Sequence, residues 1–144
     1  MKVALTTEAA RRREGGAVTV EFVMTAGLLF VILFGVVEFA FIFNAKLILI
    51  GAAREGARRA AVEGGATAGA YACIRDYLAL GNIRPDSVEA LITPTQASYG
   101  TTIRVRLVYR YPVMTAVLRP IIGDSVVLTA EVLSRGEKVR ARDD

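Results

Sequence analysis

Gly15-Gly16-Ala17-Val18-Thr19-Val20-Glu21-Phe22 opens the stretch that decides the fold, and the apolar run that it begins lasts to Phe43. Only Glu38 is charged among the 22 residues from Phe22 to Phe43. A helix of this length rises about 33 Å, which is enough to cross the hydrocarbon core of a bilayer. We therefore expect one membrane-spanning helix, with the rest of the chain attached to it.

The length and composition leave room for little else. The chain has 144 residues, a hydrophobic fraction of 53% and a mean hydropathy of +0.44, with the apolar excess concentrated between residues 17 and 50. We therefore expect one membrane segment and one small domain. The net charge is +4, and half of that excess lies before residue 17. Because the remaining charge is nearly balanced, no nucleic-acid partner is predicted.

Residues that usually carry catalysis or bind metals are scarce. The sequence has no histidine, and Cys73 is its single cysteine. This composition excludes a disulfide within the chain and a Cys/His metal site, and no Gly-rich phosphate loop follows a strand. We expect no enzyme activity and no cofactor.

The segment before the run, residues 1–16, is polar, basic and without periodicity, so we expect no regular structure there. It is similar to the start of a secretory signal, but the apolar run exceeds the ~7–15 residues of a signal and lacks a small-residue cleavage site at its end. Arg11, Arg12 and Arg13 favour a cytoplasmic N-terminus and an external C-terminus. Counted near the two ends of the run, the basic residues are equal in number, with Lys46, Arg54, Arg58 and Arg59 on the far side, so on charge alone the opposite orientation stays open.

Two glutamates lie on this helix. Glu21 is near its start, where either a specific partner or simply the helix dipole accounts for an acidic residue. Glu38 lies beyond the middle of the run, where an ionisable group costs ~2.5–3.5 kcal/mol and normally faces a partner. We expect Glu38 to need a donor from another chain or from lipid headgroups, or to take up a proton.

The spacing around Glu21 matches a known pattern. Gly16, followed after four residues by Glu21-Phe22 and preceded by arginines, resembles the processing site of type IV prepilins, most closely in the Flp/Tad branch. A second block, Phe34-Gly35-Val36-Val37-Glu38-Phe39 and then Ala52-Ala53-Arg54-Glu55-Gly56-Ala57-Arg58, resembles the signature of TadE-like pseudopilins. The resemblance covers residues 13–62 well and the remainder only in general layout. It implies cleavage by a prepilin peptidase between Gly16 and Ala17.

The resemblance also implies a function and partners. The chain would be a minor pilin-like subunit of a Tad/Flp-type pilus or related secretion apparatus, acting in pilus assembly in the bacterial inner membrane. Its helix would pack against other pilins and Tad assembly proteins, with Glu21 meeting the free amine of Ala17 in a neighbour or in its own chain. The residues expected to serve packing and assembly are Glu21, Phe22, Glu38, Arg54, Glu55, Gly56 and Arg58. The alternative is an uncleaved single-pass envelope protein that acts as a scaffold or binding module.

The helix is expected to continue beyond the membrane, unbroken from about Val18 to Val62. Small residues recur at every fourth position in two rows, Ala52-Gly56-Ala60 and Ala53-Ala57-Ala61, and such rows let another backbone approach closely. Glu55 can pair with Arg59 one turn further on.

Four segments are predicted: a leader that is removed (1–16), the membrane-spanning and extended helix (17–62), a small extracytoplasmic α+β domain (63–136) and a charged tail (137–144). In the domain, Gly64-Gly65 breaks the first helix, and Thr67 caps a second that lasts to about Leu80. Strands are predicted at 88–93, 101–111 and 125–133, in a three-stranded antiparallel sheet.

The middle strand alternates apolar residues with Arg104, Arg106 and Arg110. This arginine row is either a solvated face or a docking face for acidic groups, and Glu131 on the next strand can lie opposite Arg104 or Arg106. The link 112–124 is too apolar for a plain exposed loop, so a short helical turn is expected near the sheet or at the membrane surface.

Overall fold

The computed structural model describes the backbone of residues 2–137 and the side chains of residues 18–137. It confirms the α+β class. The elements, in chain order, are α1 Lys2–Glu63, α2 Ala68–Leu80, a 3₁₀ turn Pro85–Ser87, β1 Val88–Thr93, β2 Thr102–Pro112, α3 Arg119–Ile122 and β3 Ser125–Arg135. The charged tail predicted at the C-terminus lies, from residue 138 on, outside the described residues.

Helix α1 is one continuous helix, as predicted for its membrane and extended parts. It ends at Glu63, where Gly64 adopts a φ of 90° that favours glycine and donates its N–H to the Ala60 carbonyl over 2.9 Å. The expectation of no regular structure in residues 1–16 is wrong for the described backbone, because α1 begins at Lys2. The segment is rich in alanine, arginine and glutamate and contains no proline, so helix propensity is favourable over most of its length.

Helix α2 packs against α1 in the opposite direction. Its predicted cap is confirmed, because the Thr67 hydroxyl accepts the Ala70 N–H over 3.2 Å. At the other end, Gly81 is the C-cap and is so close to Ile48 of α1 that an added Cβ would overlap that side chain. Small residues at these contacts let the two helix backbones lie close together.

The three strands form an antiparallel sheet in the order β1-β2-β3. The predicted bounds of β1 are confirmed, whereas β2 extends to Pro112 and β3 to Arg135. Ile103, Val105 and Leu107 of β2 are fully buried and alternate with exposed arginines, which confirms one core face and one basic face. Glu131 pairs in register with Arg106 and forms an ion pair with Arg104 at 3.4 Å.

The core forms where α1 meets α2 and the sheet. It contains Leu49 and the two rows of small residues on α1, Ile74 and Leu78 on α2, and the inner face of β2. Burial along α1 begins at Glu38 and continues to Ala61. We call residues 38–137 the globular part, and residues 18–37 of α1 the bare segment.

The globular part has two distinct ends along α1. At the far end, the Glu137 N–H donates to the Ala61 carbonyl over 3.0 Å. At the near end, next to the bare segment, lies the connection between β2 and β3, which we call the tip (residues 113–124). The tip contains the short helical turn that its composition predicted, α3, and it contacts α1 through Glu38.

Candidate functional site on the long helix

The bare segment is an uncovered apolar helix. Its side chains are exposed or half-buried throughout, and Phe22 and Met24 keep 71% and 73% of their surface. It belongs to the one helix of the described residues that is long and apolar enough to cross a membrane, with a mean hydropathy of 2.6 in its most apolar window. Its 20 residues rise about 30 Å, the thickness of a bilayer hydrocarbon core. Glu21 is exposed near its start.

Glu38 marks the point where the bare segment ends. Its side chain is 1% exposed and is the one buried charged group among residues 18–137. The Met114 N–H donates to its Oε1 over 3.1 Å, and the Thr115 N–H donates to its Oε2 over 2.9 Å. Glu38 was predicted to bind a donor of another chain or of lipid, or to take up a proton. Its donors instead lie in the tip of the same chain. We call this pair of hydrogen bonds the Glu38 clasp.

The clasp fixes the tip against the helix. Two charge-assisted hydrogen bonds hold consecutive amides of the tip, and such bonds are about twice as strong as neutral ones. Tyr111 lies beside the clasp, and burial followed by the negative charge of Glu38 raises the pKa of its hydroxyl. A groove of about 250 Å³ opens between α1 and the tip, and it is lined almost entirely by apolar side chains that include Phe39, Ile42 and Ile122.

The Arg54–Arg58 block has an inner and an outer side. Gly56 is buried, and a Cβ at this position would overlap the side chain of Ile74 on α2. The row that contains Gly56 thus admits another helix, as expected, and that helix is α2 of the same chain. Arg54 and Arg58 are exposed on the outer side.

The ion pairs of this block differ from the prediction. Glu55 pairs with Arg58, three residues on, and not with Arg59. Arg59 instead reaches Glu63 over 2.6 Å. Both spacings place side chains on neighbouring positions of a helix surface, and Glu63 at the helix end offers Arg59 a second acidic partner that the prediction overlooked.

Cys73 faces this block from α2. Its Sγ lies 3.8 Å from Oε1 of Glu55, with the thiol half-buried between the helices. Burial, and then the negative charge of Glu55, raises the pKa of the thiol. A raised pKa lowers the fraction of the thiol present as the thiolate, which is the reactive form. Among the described residues, no group of metal-ligating side chains is found either.

The structure therefore divides the residues that the sequence singled out. Glu21 and Phe22 lie on the bare segment, and Arg54 and Arg58 lie on the outer surface of the globular part. Glu38 and Gly56 are used inside the chain. Gly16 and Ala17 lie within α1, and their side chains are outside the described set. The tip amides that bind Glu38 could not be found from sequence, because backbone donors carry no residue signature.

Comparison with known protein families gives one match, and it lies on α1. Residues 16–58 match the family model described as TadE-like protein. This match confirms the family that the sequence resembled, and it spans the bare segment, Glu38 and the Arg54–Arg58 block. The match points to involvement in Tad pilus assembly. No match was found among curated proteins or among solved structures.

Proposed function

We propose that this chain is a minor pilin-like subunit, a pseudopilin, that acts in assembly of a Tad/Flp-type pilus or a related secretion apparatus. The single observation that carries the proposal is the division of α1 at Glu38. Twenty residues, of which Glu21 is the one charged member, stand free of the fold, and the same helix then continues as the core helix of a globular part. A subunit of this shape can span a membrane and present a folded head without a hinge between them.

The bare segment is the part of the chain that would pack against the helices of other subunits. A membrane-spanning helix has little hydrophobic drive to associate in lipid, so close packing and polar contacts must supply the affinity. Gly27 and Gly35 have no atom of the rest of the chain within contact distance of an added Cβ. These two positions are therefore open for a helix of another subunit.

Processing would complete the site. A prepilin peptidase would cut between Gly16 and Ala17, which frees an amine four residues before Glu21. An amine and a carboxylate in an apolar environment are each costly alone, and their pairing offsets part of that cost. The Glu21 carboxylate would bind the Ala17 amine of a neighbour or of its own chain, and so register one subunit against the next.

The proposed topology combines this division with the basic charge of the leader. The arginines of the leader stay on the cytoplasmic side of the inner membrane, the bare segment crosses it, and the globular part lies outside the cytoplasm. Arg54 and Arg58 then face the extracytoplasmic space, where they can contact other pilins or Tad assembly proteins.

Replacing Glu21 tests the proposal. In a host that lacks its own copy of the gene, Glu21→Ala is expected to leave membrane insertion intact and to reduce the number of assembled pili. Glu89→Ala is the matched control, since Glu89 is an exposed acidic residue on β1 of the globular part. Normal piliation with Glu21→Ala would mean that Glu21 only complements the helix dipole, and the assembly role would be wrong.

A further inference from the structure

We propose that the tip is a second membrane contact, which inserts its apolar side chains into the interface of the leaflet on the globular side. The inference rests on the proposed membrane-spanning role of the bare segment and adds a lipid-binding surface to it. The bilayer is the occupant to which the proposal commits.

The position of the tip is the first argument. The Glu38 clasp fixes Met114 and Thr115 at the residue where the bare segment ends. If the bare segment fills the hydrocarbon core with its 20 residues, Glu38 lies at the boundary of that core and the tip lies at the same depth. The membrane surface would therefore meet the tip before any other part of the fold.

The surface of the tip is the second argument. Met114 and Ile121 are each 69% exposed, and Val117 is 51% exposed. Phe39 of α1, which lines the groove beside the tip, also remains exposed. This concentration of large apolar side chains at one end of a small fold marks an interaction surface, and here it continues directly into the apolar surface of the bare segment.

The backbone of the tip is the third argument. Lipid offers no hydrogen bonds, so an inserted backbone must satisfy its polar groups internally. Several amides of the tip are satisfied in this way: Met114 and Thr115 donate to Glu38, and Val113 donates to the Asp124 carbonyl over 3.0 Å. Further amides bond within the tip, namely Leu118, Ile121, Ile122 and Gly123. The buried carboxylate thus supplies the acceptors that water would supply to an exposed loop.

The tip carries two charged residues, Arg119 and Asp124, which balance each other. The Nε of Arg119 donates to the Val113 carbonyl over 3.2 Å. An arginine at the rim of an apolar surface can keep its guanidinium at the level of the lipid phosphates while its stem lies along apolar groups. Ile121 and Val117 would then dip below the headgroups.

The test measures the depth of single labels in the full-length protein. In a Cys73→Ser background, Ile121→Cys is labelled with an environment-sensitive fluorophore, and the protein is placed at one copy per nanodisc of phosphatidylcholine and phosphatidylglycerol. Spin-labelled lipids quench the fluorophore according to its depth. Tyr99→Cys is the matched control, because Tyr99 is 73% exposed at the other end of the globular part. Leu28→Cys reports the bare segment itself.

Shallow spin labels are expected to quench the Ile121 label severalfold more than the Tyr99 label. Val117→Cys should behave like Ile121→Cys, so one perturbed variant does not decide the outcome. Equal quenching at Ile121 and Tyr99 overturns the proposal. The proposal is also overturned if the Ile121 label reports an apolar environment only when a disc holds several copies. A second subunit, and not lipid, would then cover the tip. If lipids that carry the spin label deep in the bilayer do not quench the Leu28 label, the proposed membrane span itself is wrong.

Discussion

Replacing Glu38 removes the acceptor that holds the tip to α1. In Glu38→Ala, the Met114 and Thr115 amides lose the carboxylate oxygens to which they donate, at 3.1 and 2.9 Å. Each hydrogen bond to a charged group contributes about 1.5–3 kcal/mol, so two bonds together stabilise the closed tip by about 3 kcal/mol or more. That free energy corresponds to roughly a 100-fold change in the opening equilibrium.

Hydrogen–deuterium exchange of the full-length protein in detergent micelles measures this opening directly. The peptide that contains Met114 and Thr115 is expected to exchange about 100-fold faster in Glu38→Ala than in the wild type, whereas peptides from β2 and β3 should keep their protection. Glu38→Gln should give a smaller effect, because its amide oxygen still accepts one of the two N–H groups. Glu131→Ala is the matched control, since its contact with Arg104 is an exposed ion pair of little value.

Two results would refute the reasoning about the clasp. If the tip exchanges at the wild-type rate in Glu38→Ala, the two hydrogen bonds do not hold it. If the tip and the strands lose protection by the same factor, Glu38 stabilises the globular part as a whole, and a local clasp is the wrong description.

Three further substitutions test the packing around α1. Gly56→Val would overlap a buried side chain of α2 and should lower the free energy of unfolding by about 1–3 kcal/mol. Circular dichroism should show this as a lower Tm. Gly27→Val is the control, because a side chain at Gly27 meets nothing in the chain and should leave Tm unchanged. Thr67→Ala should lower the free energy of unfolding by about 1 kcal/mol through loss of the α2 cap, whereas Thr67→Ser should change it little. Glu55→Gln removes the charge that helps to raise the pKa of the Cys73 thiol, so maleimide should label Cys73 faster at a fixed pH; an unchanged rate would show that burial alone controls the thiol.

Much of the fold follows from local signals in the sequence. The end of α1, the Thr67 cap and the bounds of β1 are each set by residues close in the chain, such as Gly64 and Pro94, and their positions were predictable. The alternation in β2 likewise predicted its buried face. The sequence does not predict which surface of α1 each element covers, because that depends on contacts between residues far apart in the chain.

The same limit explains the errors at the candidate site. Glu38 was expected to need an outside donor because only its own helix was in view, and its partners lie 76 and 77 residues later. Gly56 belongs to a small-residue row that is equally suited to an intermolecular or an intramolecular helix, and the structure fills it with α2. Glu21 and Phe22, by contrast, remain exposed and stay available for the assembly role predicted for them.

The mass of the mature protein tests the central claim most directly. The intact chain, purified from cells with an active prepilin peptidase, should have lost residues 1–16 and begin at Ala17, and it should keep them in cells that lack the peptidase. A mass that still includes Met1 in the presence of active peptidase would contradict the account, and it would favour an uncleaved single-pass envelope protein.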